Sequence, residues 1–223
     1  MPLVPDTFSD PSNFYYNDPY SFIFEASLFG AEEDWTEALR IAYQENGLAG
    51  ALYFPSSEDD FWQTMGKRAS WGKTPLSGFV FYGHTVGNGI NNHKRENQAT
   101  MKIYPKGPKH DNGGVSFANM PEAEATKENA FKKQGPPRCW FTRNAIGRVV
   151  GCASRHWASE FAHKILRPGS TIYGTTDTLL LHYVMGFKGY SWSIKGYDKH
   201  PNLFTLLKST KGWEKFEGGK ITF

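Results

Sequence analysis

With 223 residues, 39% hydrophobic and 16% aromatic, the chain carries enough apolar surface for one sizeable domain and is too apolar for general disorder. A net charge of +3 with Lys and Arg spread along the chain gives no basic stripe that would mark a nucleic-acid partner. No apolar run reaches the roughly 18 to 20 residues of a membrane span, and Cys139 and Cys152 are too few for a disulfide scaffold and lack zinc spacing, so no metal or other cofactor is expected.

Residues 1 to 19, rich in Pro, Asp, Ser, Asn and Tyr, read as an N-terminal arm ahead of a domain spanning 20 to 223. The start Met1-Pro-Leu-Val-Pro-Asp6 has neither a basic n-region nor an apolar h-region, so no Sec-type signal peptide is expected. The expected location is cytoplasmic, or that of a delivered effector. Ser21-Phe-Ile-Phe-Glu25 is the first strand. Asp34-Trp-Thr-Glu37 has the form of a capping box, and Trp35, Ala38, Leu39, Ala42 and Tyr43 continue as a helical stripe that stops at Asn46-Gly47. Leu48 to Phe54 is the second strand. Ser57-Glu-Asp-Asp60 opens a second helix with acidic residues where the macrodipole favours them, and Phe61, Trp62 and Met65 form its buried side. Gly78-Phe-Val-Phe-Tyr-Gly-His84 is a third strand, apolar throughout as a strand covered on both faces should be.

Residues from about 91 to 143 break this rhythm: they are polar, rich in Lys, Asn, Gly and Pro, with Phe117 and Phe131 as isolated apolar positions and a short helix expected near 121 to 131. We read the segment as an insertion, since a stretch this long without regular structure is usually functional or mobile. Strand character returns at Arg148-Val-Val150 and ends in Gly151-Cys152. From Ser154, an expected N-cap, Ala158, Phe161, Ala162, Ile165 and Leu166 recur at helical spacing until Pro168-Gly169 stops the helix. Thr171-Ile-Tyr-Gly174 is the next strand. The tail holds an apolar run, Leu179 to Met185, expected as one helix or buried strand followed by edge strands.

A parallel sheet built in this order brings the ends of neighbouring strands to one edge, and so places His84 and Cys152 there. The pair supplies a thiol nucleophile and its base. A thiol is mostly protonated near neutrality, so such a site needs an imidazole or a helix N-terminus to stabilise the thiolate. N–H groups at Cys152 and after His84 are candidate oxyanion donors, and Gly83 and Gly151, one residue before each candidate, suit backbone that approaches substrate. A lone cysteine after two valines reads equally well as a small buried hydrophobe; its pairing with a strand-terminal histidine is what raises the catalytic reading.

Phe79-Val-Phe-Tyr-Gly-His84 together with Val149-Val-Gly-Cys152-Ala-Ser resembles the two motifs of the caspase-fold cysteine peptidases, a group that includes caspases, gingipains, clostripain, separase, CHAT domains and bacterial toxin cysteine peptidase domains. In that family a Gly-His motif ends one core strand, and a cysteine, often after glycine, ends the next and precedes a helix. The resemblance runs in element order over roughly residues 20 to 180 and is specific over the two motifs; Leu166-Arg-Pro-Gly-Ser-Thr-Ile-Tyr-Gly174 is similar to CHAT-like and toxin-peptidase sequences. It implies a caspase-like three-layer α/β/α fold with a mainly parallel sheet, and a cysteine peptidase acting on protein or peptide through a Cys152/His84 dyad. Self-processing or a toxin or effector setting would fit, with any activator or inhibitor protein unidentified. The implied oxyanion and substrate-binding positions are Gly83, Thr85, Gly151 and Cys152. Thr85 stands where the family usually has glycine, which leaves a non-catalytic binding module as an alternative. A third reading, a nuclease-type toxin, rests on the basic 91 to 110 loop with its Asn91-Asn-His-Lys-Arg-Glu-Asn97 run, although no metal-ligand pattern accompanies it.

The remaining candidates have plainer readings. Asp177 lines a substrate pocket that favours a basic side chain, or else is a turn or cap residue. Cys139 is core or loop. His156 rivals His84 as a partner but sits near the helix start, where a solvated group is more common. His93, His110 and His200 lie in polar loops, His163 on the polar side of the helix, and His182 in an apolar run as a satisfied core histidine.

Overall fold

The computed structural model describes residues 21–25, 51–53, 61–63, 65–67, 75–83, 85–86, 100–102, 114–116, 139–183 and 190–219. At its centre is a six-stranded sheet built from β1 (Ser21–Glu25), β2 (Ala51–Tyr53), β3 (Leu76–Tyr82), β7 (Phe141–Val150), β8 (Thr171–Thr175) and β11 (Trp213–Glu217). Their spatial order is β11-β8-β7-β3-β1-β2. Every pairing from β2 across to β8 is parallel, and only β11 runs antiparallel, on the edge beside β8. The fold is therefore mixed α/β with a mainly parallel sheet.

The central strands β3, β7 and β8 are mostly buried on both faces, which explains why β3 is apolar at successive positions rather than alternating. Phe79 and Phe81 join one core and Val80 and Tyr82 the other. The first core is covered by α1 (Arg155–Lys164) and by the helical residues 61–63 and 65–67, which bury Phe61, Trp62 and Met65 completely as their spacing predicts. Ala158, Phe161, Ala162, Ile165 and Leu166 all face this core, as does Trp157. The rings interlock: Phe161 stacks on Trp157 at 5.1 Å and on Trp62 at 6.5 Å between centroids, and meets Phe81 edge-on at 5.2 Å.

The second core is closed by a hairpin and a short helix. The apolar run beginning at Leu179 is a strand, β9 (Leu179–Tyr183), paired antiparallel with β10 (Tyr190–Ile194). Leu179, Trp192 and Ile194 point into the core while Leu180 is exposed, the alternation expected of a hairpin with one dry face. α2 (Leu203–Lys208) adds Leu203, Leu206 and Leu207, and its start is tied by a capping box in which Asn202 Oδ1 accepts from Thr205 N–H at 2.9 Å. On the same face Arg148 is fully buried, with its guanidinium carbon 4.8 Å from the centre of the Tyr173 ring and 4.6 Å from that of Trp213.

Part of the 91 to 143 segment has regular structure. β5 (Thr100–Lys102) and β6 (Gly114–Ser116) pair with β4 (Thr85–Val86) in a separate antiparallel sheet, order β4-β5-β6. The following core strand starts at Phe141, seven residues before the apolar cluster that signals it, because Arg143 and Asn144 are exposed at its beginning. The expected arm over 1 to 19, the helices at 34 to 47 and 121 to 131, Phe117, Phe131, the cap at 57 to 60 and the final Lys220-Ile-Thr-Phe223 lie outside the described residues. Among the described residues no helix is long and apolar enough to cross a membrane.

Candidate active site

β3 and β7 are neighbours, as their order in the chain leads one to expect, and their last residues, Tyr82 and Val150, are register partners. Parallel strands in register finish at the same edge. The ladder continues one step further, where Gly83 N–H donates to the Val150 carbonyl at 2.9 Å. That bond engages the Gly83 N–H within the sheet, so Gly83 itself does not serve as an oxyanion donor. His84 lies outside the described residues, as do His93, His110 and the 91 to 97 run.

Beyond Val150 the chain turns through Gly151, Cys152 and Ala153 into the N-cap of α1, Ser154. Ala153 has φ 47°, the one non-glycine with positive φ among the described residues. That conformation costs about 1 kcal/mol or more for a residue with a Cβ, so the surroundings must hold it. They do so through a set of hydrogen bonds. Thr175 Oγ1 donates to the Gly151 carbonyl, and Thr85 Oγ1 donates to the Cys152 carbonyl. Ala153 N–H donates to the Asp177 carbonyl at 2.9 Å, and Ser154 N–H to Thr175 Oγ1 at 3.1 Å. The Ser154 hydroxyl does not cap a helix N–H; it donates to the Val149 carbonyl at 2.6 Å and accepts from Thr175 N–H at 2.8 Å. Its work is to tie β7 to β8 beneath the turn.

Two glycines let these parts come together. A Cβ on Gly151 would lie 2.5 Å from the Gly83 carbonyl oxygen and 2.7 Å from Thr85 Oγ1, so the residue before the cysteine is glycine for lack of space, not for an unusual φ. Gly174 lets the first turn of α1 settle on β8, since a Cβ there would meet the Arg155 backbone nitrogen at 2.5 Å. Thr85 is buried at 5% exposure with its hydroxyl on the cysteine's own carbonyl.

Cys152 is partly buried and packs against the second core, with Sγ 3.9 Å from the Leu179 carbonyl oxygen. Neither cysteine is in a disulfide, and Cys139 is exposed near Arg167, a loop residue. Asp177 sits on the exposed connection between β8 and β9 and meets the turn through its backbone. Its side chain caps its own loop: Oδ1 accepts from Thr178 N–H at 2.6 Å, and chiefly that bond holds the carboxyl below its usual range. Arg155 and Lys195 also favour the charged form, so the carboxylate lies in a locally positive neighbourhood.

His156, on the first turn of α1, is kept below its ordinary pKa of 6.5 by burial and then by Arg155, with Glu214 opposing. Arg155 and Glu214 pair at 3.6 Å across the α1 and β11 surface, each more than two-fifths exposed, so the pair adds little stability. His163 is exposed, His182 shares a 3.0 Å hydrogen bond with Ser193, and His200, partly exposed, pairs with Trp192 through two backbone bonds. No group of three or more His, Cys, Asp or Glu side chains is gathered as for a metal among the described residues.

Of the three hydroxyls that shape the turn, the sequence singles out Thr85 and Ser154, though not as braces, and passes over Thr175. The signal was nevertheless there, in Gly174-Thr-Thr-Asp-Thr178, a hydroxyl-rich run at the carboxyl end of a core strand. The geometry amounts to a braced strand-turn-helix corner carrying a cysteine at the carboxyl edge of a parallel sheet, the edge at which ligands bind in open α/β sheets. Comparison of the chain with protein-family models, with curated proteins and with solved structures finds no match.

Proposed function

We propose that the chain is a caspase-like cysteine peptidase, a three-layer α/β/α domain in which Cys152 is the nucleophile and His84 the proton carrier. The observation that carries the reading is the junction of the two motifs. Gly83 and Thr85, on either side of His84 in sequence, bond to Val150 and Cys152, so the two residues that flank the histidine meet the Gly-Cys-Ala turn although 68 positions separate the two catalytic candidates.

In the proposed reaction the Cys152 thiolate attacks the scissile carbonyl carbon of a protein or peptide. The oxyanion formed is held by backbone N–H groups, the best placed by sequence being those of Cys152 and Thr85. The C–N bond breaks as the imidazolium of His84 delivers its proton to the leaving amine, and water, deprotonated by the same imidazole, hydrolyses the thioester and regenerates the thiol. Asp177 borders the turn, and preference for a basic side chain in the substrate would fall to its carboxylate, in competition with Arg155 and Lys195. Self-cleavage within the Lys- and Gly-rich 91 to 143 segment, and service as a toxin or effector module, belong to the same proposal.

The test is a broad peptide-library cleavage assay on the full chain and on Cys152→Ala and His84→Ala. The expected result is loss of cleavage by at least ~10³-fold in both variants, with circular dichroism and thermal midpoint unchanged. Cleavage by Cys152→Ala at the rate of the unaltered chain overturns the proposal.

A further inference from the structure

We infer that Thr85 and Thr175 are positioning residues for Cys152, an inference that rests on the nucleophile reading above. Two rigid peptide planes flank the Cys152 Cα, and each is held by a threonine hydroxyl from a neighbouring strand: Thr175 on the Gly151 carbonyl, Thr85 on the Cys152 carbonyl. The second plane is gripped at its other end as well, where Ala153 N–H reaches the Asp177 carbonyl at 2.9 Å. With both planes tied, φ and ψ at Cys152 are set, and with them the direction of its Cα–Cβ bond.

The same bonds orient an oxyanion donor. No cis peptide bond occurs among the described residues, and in a trans peptide the N–H points opposite to the C=O. Fastening the Gly151 carbonyl to Thr175 of β8 therefore turns the Cys152 N–H away from β8. Such a donor is effective when its direction is set before negative charge develops, and a misplacement of ~1 Å can cost ~10²-fold in rate. Thr85 and Thr175 are both buried, so water does not readily replace a deleted hydroxyl. Thr85 also heads β4, the first strand of the separate three-stranded sheet, so the bracing of the cysteine turn is linked to that sheet. A hydroxyl on the residue after the histidine thus has a specific task.

Thr85→Val preserves the shape of the side chain and removes the donor; Thr85→Ser preserves the donor. The measurements are kcat and KM on a peptide from the library assay, the rate of Cys152 alkylation by iodoacetamide followed by mass spectrometry, and the thermal midpoint. Thr85→Val is expected to lower kcat by about tenfold or more, to leave KM within about threefold, and to change the alkylation rate by about threefold or more. Thr85→Ser should restore all three, and the Thr175→Val and Thr175→Ser pair should behave alike. The inference fails if Thr85→Val keeps the original kcat and alkylation rate, or if Thr85→Ser is as impaired as Thr85→Val. Should Cys152→Ala remain active, the nucleophile reading falls on its own, and the alkylation comparison alone decides the clamp.

Discussion

Space and hydrogen-bond direction around the cysteine are set atom by atom. Gly151 is tightly constrained, since its missing Cβ is where the Gly83 carbonyl and the Thr85 hydroxyl converge. Neither neighbour is the loose end of a long side chain. Gly151→Ala is therefore expected to destabilise the fold by about 1 to 3 kcal/mol through displaced backbone, seen as a lower denaturant midpoint; an unchanged midpoint would show that β3 and β7 can separate there. Ser154 and Thr175 illustrate how a hydroxyl changes task with context. At an N-cap a serine ordinarily accepts from the helix, yet here two backbone groups of adjacent strands lie closer to hand, and Ser154 bonds Val149 and Thr175 instead. The cysteine turn is stiffened at the expense of an uncapped helix start.

Among the elements, α1 does most to hold the corner in place, because its buried face reaches β7, β8 and β11 at once. Phe161 sits at the middle of that face, fully buried and in ring contact with Trp62, Phe79, Phe81, Phe141 and Trp157. Truncating it to alanine should cost about 3 to 5 kcal/mol, a cavity among rigid rings that cannot collapse into it. Thermal unfolding of Phe161→Ala checks this, and a loss below about 1 kcal/mol would mean the aromatic cluster repacks. On the opposite face the hairpin β9–β10 plays the corresponding part. Its first residue, Leu179, is both in the core and beside Cys152 Sγ, so the packing of this hairpin and the environment of the thiol are one problem.

For the molecule as a whole, protonation should weaken the fold on mild acidification. His156 and His200 are both held below 6.5, chiefly by burial. Between those lowered values and 6.5 the unfolded chain binds more protons than the folded one, so stability rises with pH through that window and is lost as pH falls below 6.5. Urea midpoints measured from pH 8 to pH 5 should decline on the acid side, and replacing both histidines with glutamine should flatten that decline; an equal decline in the double variant would assign it elsewhere. Much of the architecture was legible in the chain because short-range patterns carry it. β1 is the apolar run Ser21–Glu25, α1 is the spacing from Ala158 to Leu166, and the unbroken apolarity of β3 already implied cover on both faces. Other features were not legible. Leu179 to Tyr183 satisfies helix and strand alike as an apolar run, and only pairing with β10 decides between them. Strands β5 and β6 are three residues each, too short for any periodicity to register. The sequence by itself determined a mainly parallel α/β sheet with a cysteine at the carboxyl end of a core strand, because hydrophobic period and strand-end punctuation are local. Tertiary structure decided that Thr85, Ser154 and Thr175 brace that cysteine, because a hydroxyl's partner is whichever buried carbonyl or N–H the fold brings within 3 Å, and no local pattern encodes that.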